Sequence, residues 1–290
     1  MKTSGNVICA VSAGLTSVMM AIKMREWYPE CKVVNVFLNT GKEDLRSLEF
    51  MNECDIHYNL TLVWLEAVIN PMKNKGTDYK VTTFKDLDKN GKVFEDGIKK
   101  YGIPSRVNKW CNRELKLMPL EKYANDVFGN KNWSLALGIR TDEIDRISER
   151  YKENNTFYPP FENGIDSRLR NKFWKDEPIK LKIKGYEGNC EFCFEKSKRK
   201  RMTIAVENPN KLIWWDEMEK KYSLTQIEGK EQYNSMVING GAFFGRMNES
   251  IHQIINDAKK PFVKASDEYL YENDLFDFET SCGNNCNIEF

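Results

Sequence analysis

The sequence predicts an α/β protein: a twisted, mostly parallel β-sheet with helices on both faces, and a C-terminal region of helices and loops that covers it. Two observations lead to this prediction. Short apolar runs alternate with helix-like stretches over the first 140 residues, and polar turns at 12–17, 39–43 and 140–143 directly follow three of the runs. Ligands bind beyond the carboxyl ends of parallel strands, so we expect these turns to meet at one site.

The individual elements follow from local patterns. In chain order, we predict a strand over 7–11, a helix over 16–27, a strand over 32–38, a helix over 43–54, and short strands over 61–64 and 133–139. Residues 150–195 are rich in loop-forming residues, and a helix is predicted near 247–258. We therefore divide the chain into an α/β domain over 1–150 and a cysteine-bearing cover region over 151–290 that packs on it.

Composition is typical of a soluble globular protein. The 290 residues include 44 Lys and Arg against 43 Asp and Glu, a net charge of +1, so any nucleic-acid surface would be a local patch. No apolar run approaches the roughly 20 residues that a membrane span requires, and the N-terminus lacks the apolar core of a signal peptide. We therefore expect a cytoplasmic protein without membrane contact, whose eight cysteines stay reduced.

The turn at 12–17, Ser-Ala-Gly-Leu-Thr-Ser, joins a strand to a helix. Its small residues let the backbone curl tightly, and the amide N–H groups at a helix N-terminus, together with the hydroxyl groups, suit a phosphate. The alternative is an ordinary strand-to-helix turn in which Thr16 or Ser17 caps the helix. The loop by itself does not decide between the two.

Five of the eight cysteines lie in polar stretches of the sequence, where a cysteine that only fills the apolar core is not expected. Cys190 and Cys193 form a Cys-x-x-Cys motif, which is the spacing of a zinc half-site, an iron–sulfur half-site or a redox-active dithiol. Cys111 offers a third thiolate, and Cys282 or Cys286 in the polar tail offers a fourth. Thiolates suit both a [4Fe–4S] cluster and tetrahedral zinc, so the spacing leaves both metals and free thiols open.

A run of basic residues, 196–201, directly follows the Cys-x-x-Cys motif. Runs of this kind usually form a solvated loop. The position of this one next to the suspected site makes contact with a sulfate, a phosphate or a nucleic-acid backbone the alternative.

Five short stretches, in the right order, resemble elements of the phosphoadenosine phosphosulfate (PAPS) reductase family. The resemblance is to phage-type members of this family, which belongs to the PP-loop superfamily of adenine nucleotide alpha hydrolases. It extends over roughly residues 5–215 and implies a Rossmann-like, nucleotide-binding domain over 1–150. Residues 12–17 match the PP-loop, and 37–43 match the nucleotide-contacting segment at the second strand. Residues 110–120 match the Cys-x-x-x-Leu-Lys-x-x-Pro element, 137–143 the Gly-Ile-Arg-x-Asp-Glu element and 188–193 the Cys-x-x-Cys element.

The resemblance implies roles for particular residues. An adenine nucleotide (PAPS, APS or ATP) would be held by Ser12, Ala13, Gly14, Thr16, Ser17, Asn39, Thr40, Gly41, Arg113 and Arg140. A [4Fe–4S] cluster, or zinc as the alternative, would be held by Cys111, Cys190, Cys193, Cys282 and Cys286. Cluster-bearing relatives have a Cys-Cys pair in the third element, whereas here its first member is Trp110.

The resemblance favours sulfonucleotide reduction as the function, with an electron donor such as thioredoxin as partner. The catalytic residues would be Cys282, Arg140 and Lys116. A thiolate would attack the sulfur, and the two cations would neutralise anionic charge. Only Ser281-Cys282-Gly283 represents the C-terminal Glu-Cys-Gly-x-His segment of thioredoxin-linked relatives.

Two alternatives stand beside reduction. One is an ATP-dependent sulfurtransferase acting on nucleic acid through 196–201, with Mg²⁺ near Asp142 and Glu143; against it, Thr16 stands where ATP-cleaving relatives have Asp. The other is a catalytically degenerate nucleotide-binding protein with a zinc site. No feature of the sequence specifies an oligomeric state.

Overall fold

A single sheet forms the centre of the protein. The computed structural model describes residues 5–267 except 73 and 189. Its strands are β1 (Gly5–Val11), β2 (Cys31–Asn39), β3 (Val63–Val68), β4 (Asp78–Thr82), β5 (Ser134–Leu137) and β6 (Thr156–Phe157). They pair in the order β4-β3-β2-β1-β5-β6, and every pair is parallel except β3 with β4. The predicted mostly parallel sheet is thereby confirmed.

Helices occupy most of the remaining chain. They are α1 (Leu15–Trp27), α2 (Leu45–Tyr58), α3 (Lys92–Tyr101), α4 (Trp110–Asn112), α5 (Met118–Phe128), α6 (Pro159–Glu162), α7 (Ser167–Asp176), α8 (Lys198–Glu207), α9 (Ile213–Tyr222), α10 (Glu231–Ile238) and α11 (Ile251–Ala258). A π-helical segment, Arg113–Leu117, joins α4 to α5, and 3-10 helices span Thr141–Arg146 and Pro209–Leu212. The helices predicted over 16–27, 43–54 and 247–258 correspond to α1, α2 and α11.

The two faces of the sheet are buried by different helices, because successive side chains of a strand point to opposite faces. On β1, Val7 and Cys9 belong to a core that includes residues of α1, α2 and α7. Ile8, between them, belongs to a second core that contains residues of α5. Helices therefore cover both faces, as the sequence predicts.

A third core joins the C-terminal region to the α/β part. Aromatic residues of that region, including Trp215 and Phe244, pack in one cluster with Phe94 of α3 and with Trp110. Phe94 contacts Trp110 and Trp215 at ring-centroid distances of 5.6 and 5.4 Å. Residues of α8, α9 and α11 thus share one core with α3 and Trp110.

Three features differ from the sequence-based expectation. β4 was not predicted, because its five residues are mostly polar and three of them are exposed at the sheet edge. α7 lies in the stretch 150–195 that we expected to be mostly loop. β6 lies beyond the predicted domain boundary at residue 150 yet pairs with β5. None of the helices within the described ranges is both long and apolar enough to cross a membrane.

Candidate functional site

The carboxyl end of β1 leads into a tight turn at 12–17. Ala13 adopts a left-handed conformation, with φ of 55°, and Gly14 is the N-cap of α1. Ser17 Oγ donates to the carbonyl oxygen of Gly14 at 3.0 Å and accepts from the amide of Ser12 at 3.0 Å. The idea that Thr16 or Ser17 caps the helix is therefore wrong: both lie in its first turn, where amide groups have no intrahelical acceptor.

The turn after β5 is tied to this loop by Arg140. Its Nη1 donates to Thr16 Oγ1 at 3.1 Å, and its Nε donates to Asp142 Oδ1 at 2.9 Å. Glu143 Oε2 lies 3.2 Å from Nη1 of the same guanidinium. Asp142 and Glu143 are thus engaged in ion pairs with Arg140, and the Mg²⁺ expected near them stays a prediction.

A polar cavity of about 130 Å³ lies against loop 12–17. We call it the cationic chamber, because its described lining has one carboxylate, Glu143, against five cationic side chains: Arg140, Arg146, Arg170, Lys196 and Lys200. Arg170, Lys196 and Lys200 are only 7%, 3% and 2% exposed. Burying a cation is costly unless opposite charge or hydrogen bonds compensate it. The chamber is therefore suited to an anion.

The basic run 196–201 faces inward. Most of it forms the first turn of α8, and three of its five basic residues are buried. Lys196 lies just before the N-cap of α8 and Lys200 lies in the first turn of that helix, and both line the cationic chamber. The Lys196 Nζ donates to the carbonyl oxygens of residues 186–188, at 3.2, 3.2 and 2.7 Å. The expectation of a solvated loop is wrong here. Contact with nucleic acid stays a prediction. The side chain of Lys198 is 45% exposed and could make such a contact.

A second, largely apolar cavity of about 190 Å³ adjoins the first. We call it the thiol chamber, because three cysteines line it: Cys111, Cys190 and Cys193. Its other walls are the apolar carboxyl ends of β1, β2 and β5, and aromatic residues of the cover region. The two chambers are contiguous, since both are lined by Ser12, Ser17, Gly138 and Arg146.

The Cys-x-x-Cys loop reaches the site by pairing with the turn after β2. Cys190 and Glu43 form an isolated antiparallel β-bridge, and the amide of Glu191 donates to the carbonyl oxygen of Lys42 at 3.0 Å. Glu43 in turn accepts from the amide and the hydroxyl group of Thr40, at 3.0 and 2.8 Å. Two motifs separated by about 150 residues in the sequence thereby form one wall of the thiol chamber.

Electrostatics in the thiol chamber are set by burial and by Lys116. Burial raises the pKa of the Cys111 thiol to about 11 and that of Cys190 further. Burial also raises the pKa of the Glu43 carboxyl. The positive charge of Lys116, which lines the same chamber, opposes the rise at all three groups. Lys116 is therefore the cation best placed to stabilise negative charge in this chamber.

The described cysteines do not by themselves form a metal site. Across residues 5–267, apart from 73 and 189, no three Cys, His, Asp or Glu side chains are grouped to hold a metal ion. Trp110, at the place where cluster-bearing relatives have another cysteine, is buried and donates from Nε1 to the carbonyl oxygen of Gly102 at 2.8 Å. The tail residues Cys282 and Cys286 lie outside the described residues. A [4Fe–4S] cluster or zinc thus stays a prediction.

Some of the residues predicted to bind a nucleotide lie outside both chambers. Asn39 is fully buried, and its Nδ2 donates to Glu66 Oε1 at 2.6 Å while its Oδ1 accepts from the amide of Gly41. Neither Asn39 nor Gly41 lines a chamber, whereas Thr40 lines the thiol chamber. Arg113 is exposed and pairs with Glu114 at 2.6 Å.

Sequence analysis missed several residues of the site. Arg170, on α7, lies in the stretch expected to be loop, and Lys200 was grouped with a run expected to face solvent. Glu43 was not singled out, although it bridges to Cys190. The position of the basic run directly after the Cys-x-x-Cys motif was the available signal, but it does not say which of its side chains face inward.

Comparison with known proteins gives a small set of matches. No protein-family model matches the chain. The uncharacterized nin region protein ORF290 of Escherichia phage lambda is 32% identical over 197 residues, which are 67% of this chain and 67% of that protein. An uncharacterized protein of Methanocaldococcus jannaschii is 26% identical over 123 residues, 42% of this chain and 20% of that protein. The crystal structure of phosphoadenylyl-sulfate (PAPS) reductase from Candida auris, a phosphate complex, aligns with a TM-score of 0.38 and 13% identity, over 62% of this chain and 76% of that chain.

Proposed function

We propose that this chain, which belongs to the same family as the nin region protein ORF290 of Escherichia phage lambda, is an enzyme that handles sulfur on an adenine nucleotide. The observation that supports this most directly is the junction of the two chambers, which share Ser12, Ser17, Gly138 and Arg146. One ligand can therefore place an anionic group among the cations and extend to the three thiols. The resemblance of the five sequence elements to PAPS reductases supplies the reaction class.

The nucleotide would bind across the junction. Its phosphate would lie against loop 12–17, where the first-turn amides of α1 and the guanidinium of Arg140 converge. Its adenosine would lie on the apolar carboxyl ends of β1, β2 and β5, the position where ligands of parallel sheets bind. The glycine at 138 lets the start of α1 lie close to the chain after β5, because a Cβ there would lie only 3.0 Å from the Cα of Ser17.

The reaction that we propose is reduction of a sulfonucleotide. A cysteine thiolate attacks the sulfur, the bond between sulfur and the phosphate oxygen breaks, and the nucleotide leaves with that electron pair. A dithiol donor such as thioredoxin then reduces the S-sulfocysteine, becomes a disulfide and releases sulfite. Cys282 is the proposed nucleophile; Lys116 would stabilise charge beside the thiols, and Arg140 would stabilise the leaving phosphate. If a cluster binds, Cys111, Cys190 and Cys193 would hold it together with a tail cysteine.

The test is a turnover assay on protein purified without oxygen. APS or PAPS is supplied with dithiothreitol or thioredoxin, and sulfite and free nucleotide are measured together. We expect equal amounts of both products, and their loss in Cys282→Ser. Cys31→Ser, at the start of β2 and outside both chambers, should keep the activity.

Other outcomes of the same assay identify the alternatives. Binding of nucleotide without sulfite would favour a degenerate nucleotide-binding protein, and release of pyrophosphate from ATP would favour a sulfurtransferase.

Iron, acid-labile sulfide and zinc per chain are measured on the same preparation, and Cys190→Ser should abolish metal binding if the predicted ligand set is right.

A further inference from the structure

A mostly buried ion pair joins the turn after β2 to the Cys-x-x-Cys motif. The Nζ atom of Lys42 lies 3.0 Å from Oε2 of Glu191, and the two side chains are only 9% and 17% exposed. Lys42 directly follows Gly41, and Glu191 lies between the two cysteines of the motif. Neither residue belongs to the described lining of the two chambers, so the pair acts on the motif and not on a ligand there.

The ion pair reinforces a short stretch of backbone pairing. The carbonyl oxygen of Lys42 accepts from the amide of Glu191 at 3.0 Å, next to the isolated bridge between Glu43 and Cys190. An isolated bridge has few hydrogen bonds, and segments held by few bonds open locally at little cost in free energy. The attachment of Cys190 to the turn after β2 therefore depends on the Lys42 side chain as well.

The ammonium group of Lys42 is held in place by its own surroundings. Its Nζ lies 4.8 Å from the ring centroid of Trp214, a cation–π distance. A Cβ at Gly91 would lie 2.8 Å from Cδ of Lys42 and 2.6 Å from Cε2 of Trp214, so the stem and the indole both pack on this glycine. Because the stem is already confined, less rotamer freedom is lost on pairing than in an exposed ion pair.

The second half of the motif is anchored in a different way. Phe192 is fully buried and lies 6.4 Å from Trp215 between ring centroids. The carbonyl oxygen of Cys193 accepts from the amide of Lys196 at 3.1 Å. Cys193 is thus held by the core and by the turn that follows it, and neither of these contacts involves Lys42.

We propose that Lys42 is a positioning residue that acts through Glu191 and holds one thiol of the motif, that of Cys190, at the thiol chamber. The charge pair fixes the first half of the motif, and the buried ring of Phe192 fixes the second. The role of the Cys190 thiol in turnover rests on the proposed function, whereas its position does not.

The test measures the rate at which iodoacetamide modifies each cysteine, followed by peptide mass spectrometry on protein without nucleotide. Removing one partner of a buried pair leaves the other charge uncompensated, so in Lys42→Met the Glu191 carboxylate should turn to water and take Cys190 with it. Cys190 should then react at least about tenfold faster than in the wild type, because reactivity follows the population of the open form. Cys193 and Cys111 should stay within about twofold of their wild-type rates.

Two further variants separate the charge pair from a general loosening of the fold. Lys42→Arg keeps the positive charge and should keep the Cys190 rate within about twofold of the wild type. Glu191→Gln should accelerate Cys190 as Lys42→Met does, and the double variant should add no further acceleration, since both changes remove the same interaction.

Lys92→Met is the matched control, because Lys92 pairs with Asp96 at 2.8 Å but its side chain is 78% exposed, and exposed pairs contribute little. It should keep the wild-type rates. Cys9 is fully buried, so its protection shows that a variant is folded. Should Lys42→Met fail this check, Glu191→Gln provides the same test.

Three results would overturn the proposal: an unchanged Cys190 rate in Lys42→Met, an equal rise at Cys190, Cys193 and Cys111, or a Lys42→Arg variant as reactive as Lys42→Met. A wild type that forms no sulfite would count against the proposed function alone, because these rates are measured without turnover.

Discussion

The Nη1 atom of Arg140 donates a hydrogen bond of 3.1 Å to Oγ1 of Thr16, and so joins the turn after β5 to the turn after β1. The same guanidinium forms ion pairs with Asp142 through Nε and with Glu143 through Nη1. The turn after β2 reaches the adjoining thiol chamber through Thr40 and Glu43. The three polar turns thus line two contiguous chambers, and an anion at loop 12–17 would meet a guanidinium already fixed in place.

Arg140→Leu should weaken binding of an adenine nucleotide by tenfold or more, since a hydrogen bond to a charged group contributes about 1.5–3 kcal/mol. Titration with ADP measures the loss. Arg168→Leu is the control, because its guanidinium is exposed, pairs with Asp166 and lines neither chamber. Unchanged affinity in Arg140→Leu would mean that the anion binds elsewhere.

Trp174 supports loop 12–17 from α7, where its Nε1 donates to the carbonyl oxygen of Leu15 at 2.9 Å. Trp174→Phe should lower the free energy of unfolding by about 1 kcal/mol, measured in urea, and should also weaken nucleotide binding. Trp133→Phe removes a comparable bond, to Asn125 at 2.8 Å, near the start of β5. Trp133→Phe should lower the free energy of unfolding by a similar amount without changing the affinity for nucleotide. If both variants weaken nucleotide binding equally, the bond from Trp174 to Leu15 does not support the binding loop.

Glu219 should make stability depend on pH. Burial raises its pKa to about 7, although the amides of Phe244 and Ile251 donate to it at 3.0 and 2.8 Å. The folded state therefore binds this proton more tightly than the unfolded chain, whose Glu pKa is about 4.3. The resulting stabilisation is present in full below about pH 4 and is lost as the pH rises through 7, a change of at most about 4 kcal/mol.

Urea unfolding between about pH 4 and 8 tests this prediction by comparing the wild type with Glu219→Gln. The variant is expected to lose the Glu219 component of the pH dependence. Glu217→Gln, an exposed substitution on the same helix, should keep the profile of the wild type. An identical profile in Glu219→Gln would show that other groups cause the dependence.

Gly97→Ala should destabilise the protein, although alanine is ordinarily about 1 kcal/mol better than glycine inside a helix. A Cβ at Gly97 would overlap the six-membered ring of the buried Trp110, and overpacking of this kind costs about 1–3 kcal/mol. Gly76→Ala, where no atom lies within 4 Å of the added carbon, should be nearly neutral. Equal thermal midpoints of the two variants would contradict the packing argument.

The sequence predicted the sheet well where its strands are apolar and buried on both faces. The runs at 7–11 and 32–38 have that character and became β1 and β2. β4 lies at an edge and alternates polar residues with few apolar ones, so its pattern did not stand out. β6 has two residues, too few for any period to be recognised.

The sequence predicted which types of residue form the site, but not which of their side chains point into the chambers. Loop 12–17 and Cys190 were recognisable from their local pattern, and both line the chambers. The inward direction of Lys200 depends on how α8 packs against α11 and the site, which no local pattern contains. Asn39 matched a nucleotide-contacting segment, yet its side chain holds Glu66 and the backbone of Asp88.

The central claim is that one nucleotide occupies both chambers, and thiol protection tests it most directly. Alkylation of each cysteine is followed by peptide mass spectrometry, with and without saturating ADP, and with inorganic phosphate as a control. ADP should slow the modification of Cys111, Cys190 and Cys193 while Cys31 reacts unchanged, and phosphate alone should protect little. If ADP binds and the three thiols react at their original rates, the nucleotide does not reach the thiol chamber and the account is wrong.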